Sequence, residues 1–360
     1  MSDPVSVLTV NAGSSSVKAA LFAADGRVRR GRVTRLRTAP TLSLDGRDEA
    51  LPDATDAEDA ARRLTTILTE DAAPGAAPSV VAHRIVHGGG RDGPARFTPA
   101  LFDELAGLVP YAPLHQPHGL RIAAALTAAM PEAAHVACFD TAFHQTMPEA
   151  QTVLPLPERF GAPALRRYGF HGLSYEGTAR WLAEARPDLT RVVAAHIGSG
   201  ASLCAIRAGR SVGTSMSLTP LDGLPMGTRS GALDPGAVLM LAERHGAEAV
   251  RDALYREAGL LGVSGLSNDV RDLRASDDPR AALALDLLVQ RTAEGVAGMA
   301  VAAGGLDALV FSGGVGENDE AFRDAVARRL GFFPPFETLV RPAEEEAVMA
   351  RQARRLLAEA

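Results

Sequence analysis

The segments VLTVNAGSSSVKAALFAADGRV (7–28) and RVVAAHIGSGASLCAIRAGRSV (191–212) follow one plan. Each opens as an apolar strand, pauses at a short run of Gly and Ser, and resumes as a strand. Each then turns, at Asp25-Gly26 or Ala208-Gly209, and enters a third strand. Apolar runs bounded by Gly, Asn and Ser are strand and turn signals. A chain that writes the same three-strand unit twice, each copy followed by helices and further strands, is constrained towards a duplicated domain. The two Gly/Ser turns are then expected to face each other across a cleft between the copies.

The remaining pattern fits an α/β class, because strands and helices alternate. Strand-like runs fall at 5–10, 17–23, 27–35, 79–87, 135–140, 191–197, 202–207, 210–215 and 307–312. Helical periodicity falls at 57–69, 99–109, 119–129, 175–185, 235–245, 280–303 and 319–330, with a last helix at 343–358. DAAPGAAPS (71–79) reads as a surface loop. TMPEAQTVLPLPERFGAP (146–163) is Pro-rich and irregular and reads as a crossing between domains.

Composition narrows the class. A length of 360 residues suits two domains, and a net charge of −6 lends no support to nucleic-acid or membrane-surface binding. Cys138 and Cys204 lie in apolar runs and read as small buried hydrophobes rather than a disulfide or metal site. The start, MSDPVSVLTV, has no basic region of the kind that opens a signal peptide, and no apolar run reaches a membrane span. A cytoplasmic enzyme is the expectation. Lys18 is the single lysine; every other basic side chain is arginine. A compact ammonium suits a tight phosphate-facing turn where a planar guanidinium does not, although one lysine could also fall there by chance.

Small residues let backbone N–H groups approach a polyanion, and serine hydroxyls add donors. NAGSSSVK, HIGSGAS (196–202) and FSGGVGEN (311–318) are three such turns at the ends of apolar strands. Any one alone reads equally as an ordinary turn; together they point to phosphates. They are not the Walker pattern, whose spacing and following helix are absent at the first turn.

The chain resembles the acetate kinase family, within the superfamily of actin, sugar kinases and heat-shock chaperone ATPases. The resembling segments run in order along nearly the whole chain: VNAGSSSVK, HRIVHGG, YAPLHQP, FDTAFHQTMP, RYGFHGLSY, AAHIGSGASL, TSMSLTPLDGLPMGTRSG, GVSGLSNDVRDL, LVFSGGVGEN and PAEEEAVMA. The resemblance implies two ribonuclease-H-like (actin-like ATPase) domains with a nucleotide cleft between them. The expected division is 1–144 plus 346–360 against 145–345, the last helix returning to the first domain and bringing Glu345 beside Asn11. It implies transfer of the γ-phosphoryl group of ATP to acetate, giving acetyl phosphate and ADP, with Mg2+ (or Mn2+), no nucleic-acid or membrane partner, and a homodimer.

That reaction sets an anionic nucleophile against a polyanionic donor, so its site should be rich in cations. By resemblance, Arg84 binds the carboxylate, and His171 and Arg229 stabilise the transition state. Asp140 matches the catalytic aspartate, although a carboxylate nucleophile carries no proton for a base to remove; orienting a metal or its water suits it better. Asn11 and Glu345 match the metal pair, Glu345 less securely because it stands in the run Glu344-Glu345-Glu346. Nucleotide contacts carry over onto Ser14, Ser16 and Lys18, onto His196, Ile197, Gly198, Ser199 and Gly200, onto Asp269, Val270 and Arg271, and onto Gly314, Val315, Gly316, Glu317 and Asn318. An apolar lining for one methyl carries over onto Val86, Leu114, Phe170 and Pro220.

Ser199, Ala232, Gly213 and Gln116 depart from the family pattern, which has Asn, Asp, Asp and Asn there. The stretch 318–342 is shorter than usual and lacks an extra strand pair. Ser199 and the shortening bear on the nucleotide side. Two rivals stay open: a propionate or butyrate kinase, since one methylene is worth only about 1–3 kcal/mol, and a non-catalytic nucleotide-gated protein of the same fold.

Overall fold

The computed structural model describes residues 5–13, 16–36, 40–51, 56–70, 78–161 and 165–359. It divides into one unit formed by Met1–Ala142 with Glu344–Ala360, and another formed by Phe143–Ala343.

The first unit starts with a meander of β1 (Val7–Ala12), β2 (Ser16–Phe22), β3 (Val28–Thr34), β4 (Thr41–Leu44) and β5 (Arg47–Ala50). There follow α1 (Ala57–Glu70), β6 (Val80–Ile85), β7 (Ala95–Arg96), α2 (Pro99–Ala106), α3 (Gln116–Ala129) and β8 (Ala134–Phe139). These strands form one sheet in the order β5-β4-β3-β2-β1-β6-β8-β7. The pairs from β5 to β1 are antiparallel, and β1, β6 and β8 are parallel. Leu8 and Val10 of β1 and Val17, Ala19 and Leu21 of β2 alternate towards one face, where they meet Leu64 and Leu68 of α1. That alternation is the period-2 pattern of a strand; the opposite face of β1 is covered as well, with Val7 and Thr9 buried.

The second unit contains α4 (Glu149–Thr152), α5 (Gly172–Ala185), β9 (Arg191–Ile197), β10 (Ala201–Arg207), β11 (Arg210–Thr214), α6 (Pro235–His245), α7 (Ala247–Arg256), α8 (Gly259–Ser264), α9 (Val270–Arg274), α10 (Pro279–Ala303), β12 (Ala308–Ser312), α11 (Gly313–Asn318), α12 (Glu320–Arg329) and β13 (Glu337–Val340). Its sheet runs β11-β10-β9-β12-β13, antiparallel across β11-β10-β9 and parallel across β9-β12-β13. This order repeats β3-β2-β1-β6-β8 of the first sheet, so the duplication legible in the sequence is present in the topology. Both sheets have the ribonuclease-H-like arrangement of the actin-like ATPases. The chain's last helix, α13 (Glu345–Ala358), belongs to the first unit and packs against β1, β6 and β8.

Several sequence expectations shift. The Pro-rich segment 146–163 is not a crossing; its described residues lie inside the second unit. GGVGEN is a short helix rather than an open turn. Gly313 makes the bend into it at φ +78°, and a Cβ there would lie 2.7 Å from the Ile197 carbonyl oxygen. The shortened stretch 318–342 still carries one strand, β13. Of the loop expected at 71–79, all but the last two residues lie outside the described residues. Among the described residues no helix is long and apolar enough to cross a membrane. Cys138 and Cys204 are buried free thiols.

Each unit holds a buried, neutral histidine. His83 Nε2 lies 2.9 Å from His135 Nδ1, and His135 Nε2 lies 3.0 Å from the Met130 carbonyl. Burial, with the neighbouring His135, pushes His83 down to about 3, and burial pushes His144 down to about 4, from an ordinary 6.5. Unfolding lets both rings take up protons below pH 6.5, while the folded chain refuses them until about 3 or 4. Their contribution is therefore complete above pH 6.5 and is lost as pH falls towards those values. At pH 5 each should have cost about 2 kcal/mol of stability. Thermal unfolding from pH 7 to pH 4.5 should show a falling Tm, restored in part by His83→Gln; a flat Tm would refute the assignment.

Candidate active site

In the first unit three parallel strands end side by side, and the C-terminal ends of such strands are where α/β proteins place ligands. Asn11 is the fifth residue of β1, Arg84 stands near the end of β6, and Asp140 directly follows β8. Asp140 accepts from Arg84 Nη2 at 2.6 Å, and from Nε at 3.0 and 3.2 Å to its two oxygens. Arg84 Nη1 donates to Asn11 Oδ1 at 3.0 Å. Asn11 Nδ2 donates to Glu345 Oε2 at 2.7 Å and to Glu346 Oε1 at 3.1 Å, both at the start of α13. Sequence separations of 56 to 335 residues are thus closed into one network.

Its electrostatics follow from burial. The Asp140 side chain is 1% exposed and that of Arg84 15%. Burial raises the Asp140 carboxyl to about 6; Arg84 opposes the rise and Glu345 adds to it. Burial works against the Arg84 charge, but Asp140, Glu345 and Glu346 hold its pKa above the ordinary arginine value. Asp140 is therefore ionised at neutral pH. It occupies the side edge of the guanidinium, Nε and Nη2. A guanidinium carries five N–H donors; with Nε and one N–H of Nη2 spent on Asp140 and one N–H of Nη1 spent on Asn11, one N–H on each terminal nitrogen remains for another carboxylate.

Lys18 is not in the turn itself. It lies in β2, exposed, directly opposite Asn11 in the β1–β2 register and hence on the same face. Gly13 N donates to the Ser16 carbonyl at 2.8 Å, closing the turn that Ser16 begins to leave. Ser14 lies outside the described residues. Val86 is buried and Leu114 half-buried in this unit. Gln116, one of the departures, accepts from His87 N at 3.0 Å and donates to the His87 carbonyl at 3.0 Å. It pins the backbone one residue beyond Val86.

In the second unit the residues gather around the ends of β9 and β12. Ser312 pairs with His196 across these parallel strands. Gly198 N donates to the Gly200 carbonyl at 2.9 Å, making the tight β9–β10 turn that holds exposed Ser199. Ile197 is buried beneath it. A Cβ on Gly198 would lie 3.6 Å from Gly314 N, so this turn and α11 adjoin. In α11, Glu317 Oε1 accepts from Gly313 N at 2.9 Å and from Ala343 N at 3.0 Å, and Asn318 Nδ2 donates to the Gly314 carbonyl at 2.8 Å. These two side chains fasten the helix. Gly314 is exposed, Val315 half-buried and Gly316 buried against Phe311. Asp269 caps α9, accepting from Arg271 N at 2.8 Å and pairing with the Arg271 guanidinium; Val270 is buried behind them.

His171 ends the loop before α5 with φ +59° and ψ +22°, a left-handed conformation that a residue with a Cβ adopts only under constraint. Gly169, at φ +79°, sits where a Cβ would strike Thr214 Cγ2 at 2.5 Å and His144 Cδ2 at 2.7 Å. His144 Nε2 is 2.9 Å from the carbonyl of Phe170, the residue before His171. The imidazole of His171 stacks on His196 with centroids 4.4 Å apart, and its Nδ1 is 2.8 Å from Ser202 Oγ. Arg229 Nη1 donates to the Pro220 carbonyl at 2.7 Å. A Cβ on Gly200 would stand 2.8 Å from Arg229 Nη2 and 3.3 Å from His171 Nε2. These two nitrogens therefore converge on the turn, and only glycine leaves them room. Phe170 and Pro220 are buried beside them.

Glu346, Ser202, Ser174 and Tyr175 join these networks without having been singled out as site residues. Tyr175 follows His171 by one helical turn, a spacing visible in the sequence.

Residues 6–344 match the model of the acetokinase family. The chain is 45% identical to the acetate kinase of Rhodopseudomonas palustris (strain TIE-1) over 348 residues, 91% of this chain and 86% of that one. Among solved structures it is similar to the acetate kinase of Porphyromonas gingivalis, with a TM-score of 0.83, 33% identity and coverage of 98% and 100%. It is similar also to a propionate kinase from Francisella tularensis, with a TM-score of 0.87, 30% identity and coverage of 98% and 99%.

Proposed function

The chain belongs to the acetokinase family, and from that membership we infer that it is an acetate kinase, a phosphotransferase with a carboxyl acceptor and ATP as donor. The observation that supports this most directly is the Arg84 guanidinium, held along one edge by Asp140 and at Nη1 by Asn11, with one N–H remaining on each terminal nitrogen. A carboxylate acceptor is already ionised at neutral pH. What it needs is a fixed cation, and a bidentate arginine is the group that binds it best.

In this mechanism Arg84 binds and orients the carboxylate, and Val86 and Leu114 of the same unit offer its methyl an apolar surface. In the second unit His196–Gly200 and Gly314–Asn318, with Asp269–Arg271, take the nucleotide; in the first unit Ser14, Ser16 and Lys18 offer hydroxyls and an amine to phosphate. His171 and Arg229, converging on Gly200, take the charge that spreads over the phosphoryl oxygens. The residues around Asn11 fit a hard divalent cation: they present oxygen donors, and three carboxylates answer one guanidinium. Glu345 and Asn11 would hold Mg2+ or Mn2+, largely through water, the sparse protein coordination that Mg2+ prefers. Such an ion would neutralise phosphate charge.

A propionate kinase is the second reading, favoured by the likeness to the solved propionate kinase. Hydroxylamine trapping separates the two. With ATP and Mg2+, acetate should give acyl hydroxamate well above butyrate and at least equal to propionate. A higher kcat/KM for propionate would transfer the assignment, and no hydroxamate from any of the three would overturn it.

A homodimer is part of the same proposal. No residue of α6 is buried, and Leu239 and Met240 are 66% and 43% exposed, with Leu233 just before the helix at 50%. An apolar helix open to water favours a partner surface, and a second copy of this chain is proposed. Sedimentation at micromolar concentration should give a dimer that Leu239→Glu with Met240→Glu dissociates; a wild-type monomer would refute it.

A further inference from the structure

We propose that Ser202 and Tyr175 form a hydroxyl relay that fixes His171 in the tautomer carrying its proton on Nε2. They would be positioning residues for the histidine of the phosphoryl-transfer site, an inference that rests on the function given above.

Ser202 Oγ lies 2.6 Å from the Tyr175 hydroxyl and 2.8 Å from His171 Nδ1. Ser202 and Tyr175 are both fully buried, so neither hydroxyl can turn its proton to bulk water. Ser202 has one proton and two close partners. If it donates to His171 Nδ1, it must accept from Tyr175, and the imidazole proton stands on Nε2. If it donates to Tyr175, it must accept from Nδ1–H, and a neutral ring shows a bare lone pair at Nε2.

Acidity chooses between them. A phenol ionises near pH 10, far more readily than an aliphatic hydroxyl, so it is the better donor, and the serine oxygen is the better acceptor. The 2.6 Å separation suits an O–H···O bond donated by the phenol. The favoured chain is Tyr175 O–H to Ser202 Oγ, and Ser202 O–H to His171 Nδ1.

The tautomer matters because of what Nε2 faces. It converges with Arg229 Nη2 on Gly200, in the turn assigned to the phosphates. With a proton, Nε2 donates towards a phosphoryl oxygen beside a guanidinium. Without one, its lone pair opposes that oxygen. The neutral ring also stacks on His196, whose Nδ1 is itself 3.0 Å from Ser174 Oγ. For the neutral ring, the tautomer decides whether His171 attracts or repels the transferring group.

The tautomer can be read without turnover. In the 15N-labelled full chain at pH 8, long-range 1H–15N correlation should show the His171 ring protonated on Nε2, its signals assigned by their loss in His171→Gln. Ser202→Ala should give a mixture of tautomers, and Ser202→Thr, which keeps the hydroxyl, should restore one. In parallel, Ser202→Ala should lower kcat about tenfold, the worth of one buried hydrogen bond, with KM for ATP within about twofold, and Ser202→Thr should recover most of it. A wild-type ring protonated on Nδ1 overturns the proposal, as does an unchanged tautomer and kcat in Ser202→Ala. Absence of kinase activity in the wild type would count against the function and leave the ring measurement to decide the relay.

Discussion

Arg229→Gln is expected to lower kcat by about a thousandfold or more, the scale on which an arginine facing a transferring phosphoryl group contributes. The expectation comes from how the side chain is used. One terminal nitrogen, Nη1, is spent on the Pro220 carbonyl, and the other, Nη2, is aimed at the Gly200 turn beside His171 Nε2. The first tether fixes the second group. Glutamine can keep a hydrogen bond to Pro220 but brings no charge to the turn. Lysine brings a charge but cannot serve both points at once, so Arg229→Lys should recover only a small part of the loss. The KM for acetate should change by no more than about threefold, since glutamine can keep the hydrogen bond to the Pro220 carbonyl. Steady-state kinetics with ATP varied at saturating acetate would measure this. A kcat within tenfold of wild type would remove Arg229 from the reaction.

Asp140→Asn should lower kcat/KM for acetate by about 10- to 100-fold, the cost of replacing a charge-assisted fork with neutral bonds. The aspartate acts through Arg84: it occupies Nε and Nη2 and so aims the outer edge of the guanidinium. Burial first, and Glu345 in addition, raise this carboxyl to about 6 against the pull of Arg84. The grip on Arg84 is present above that pH and lost as pH falls through it. Wild-type kcat/KM for acetate should therefore decline below about pH 6, and the variant should lack that limb. A general base would give the same limb but would also move a proton in the transition state. The solvent deuterium isotope effect on wild-type kcat should be close to one; a substantial effect that vanishes in Asp140→Asn would make the aspartate a base.

The sequence was most readable where structure is local. α6 is bounded where Asp234 caps its start, Pro235 opens it and Gly246 closes it, and its residues follow those signals to the end. The paired three-strand units were legible because each is a run of adjacent hairpins. β5 escaped notice because Arg-Asp-Glu-Ala is exposed throughout and has no apolar face to alternate with. α11 escaped because glycines usually break helices; here Glu317 turns back on Gly313 N and holds the bend. At the site, Asn11, Arg84, Asp140 and Glu345 could each be named from family motifs. That Asp140 spends its carboxylate on Arg84, and that Asn11 links Arg84 to Glu345, are facts of folded geometry across hundreds of residues. No local pattern records them. The same holds for Ser202, a serine among several in its stretch until the β9–β10 register sets it opposite His196.

The left-handed backbone of His171 has a consequence for how this chain can change. At φ +59° the fold would be relieved by glycine, which enters that region freely, whereas an imidazole-bearing residue is held there by its surroundings. Stability and reactivity thus ask for different residues at one position. A search for more heat-resistant variants that scores folding alone should find glycine at 171 acceptable and would discard the histidine. Its persistence can be secured only by selecting for turnover at the same time.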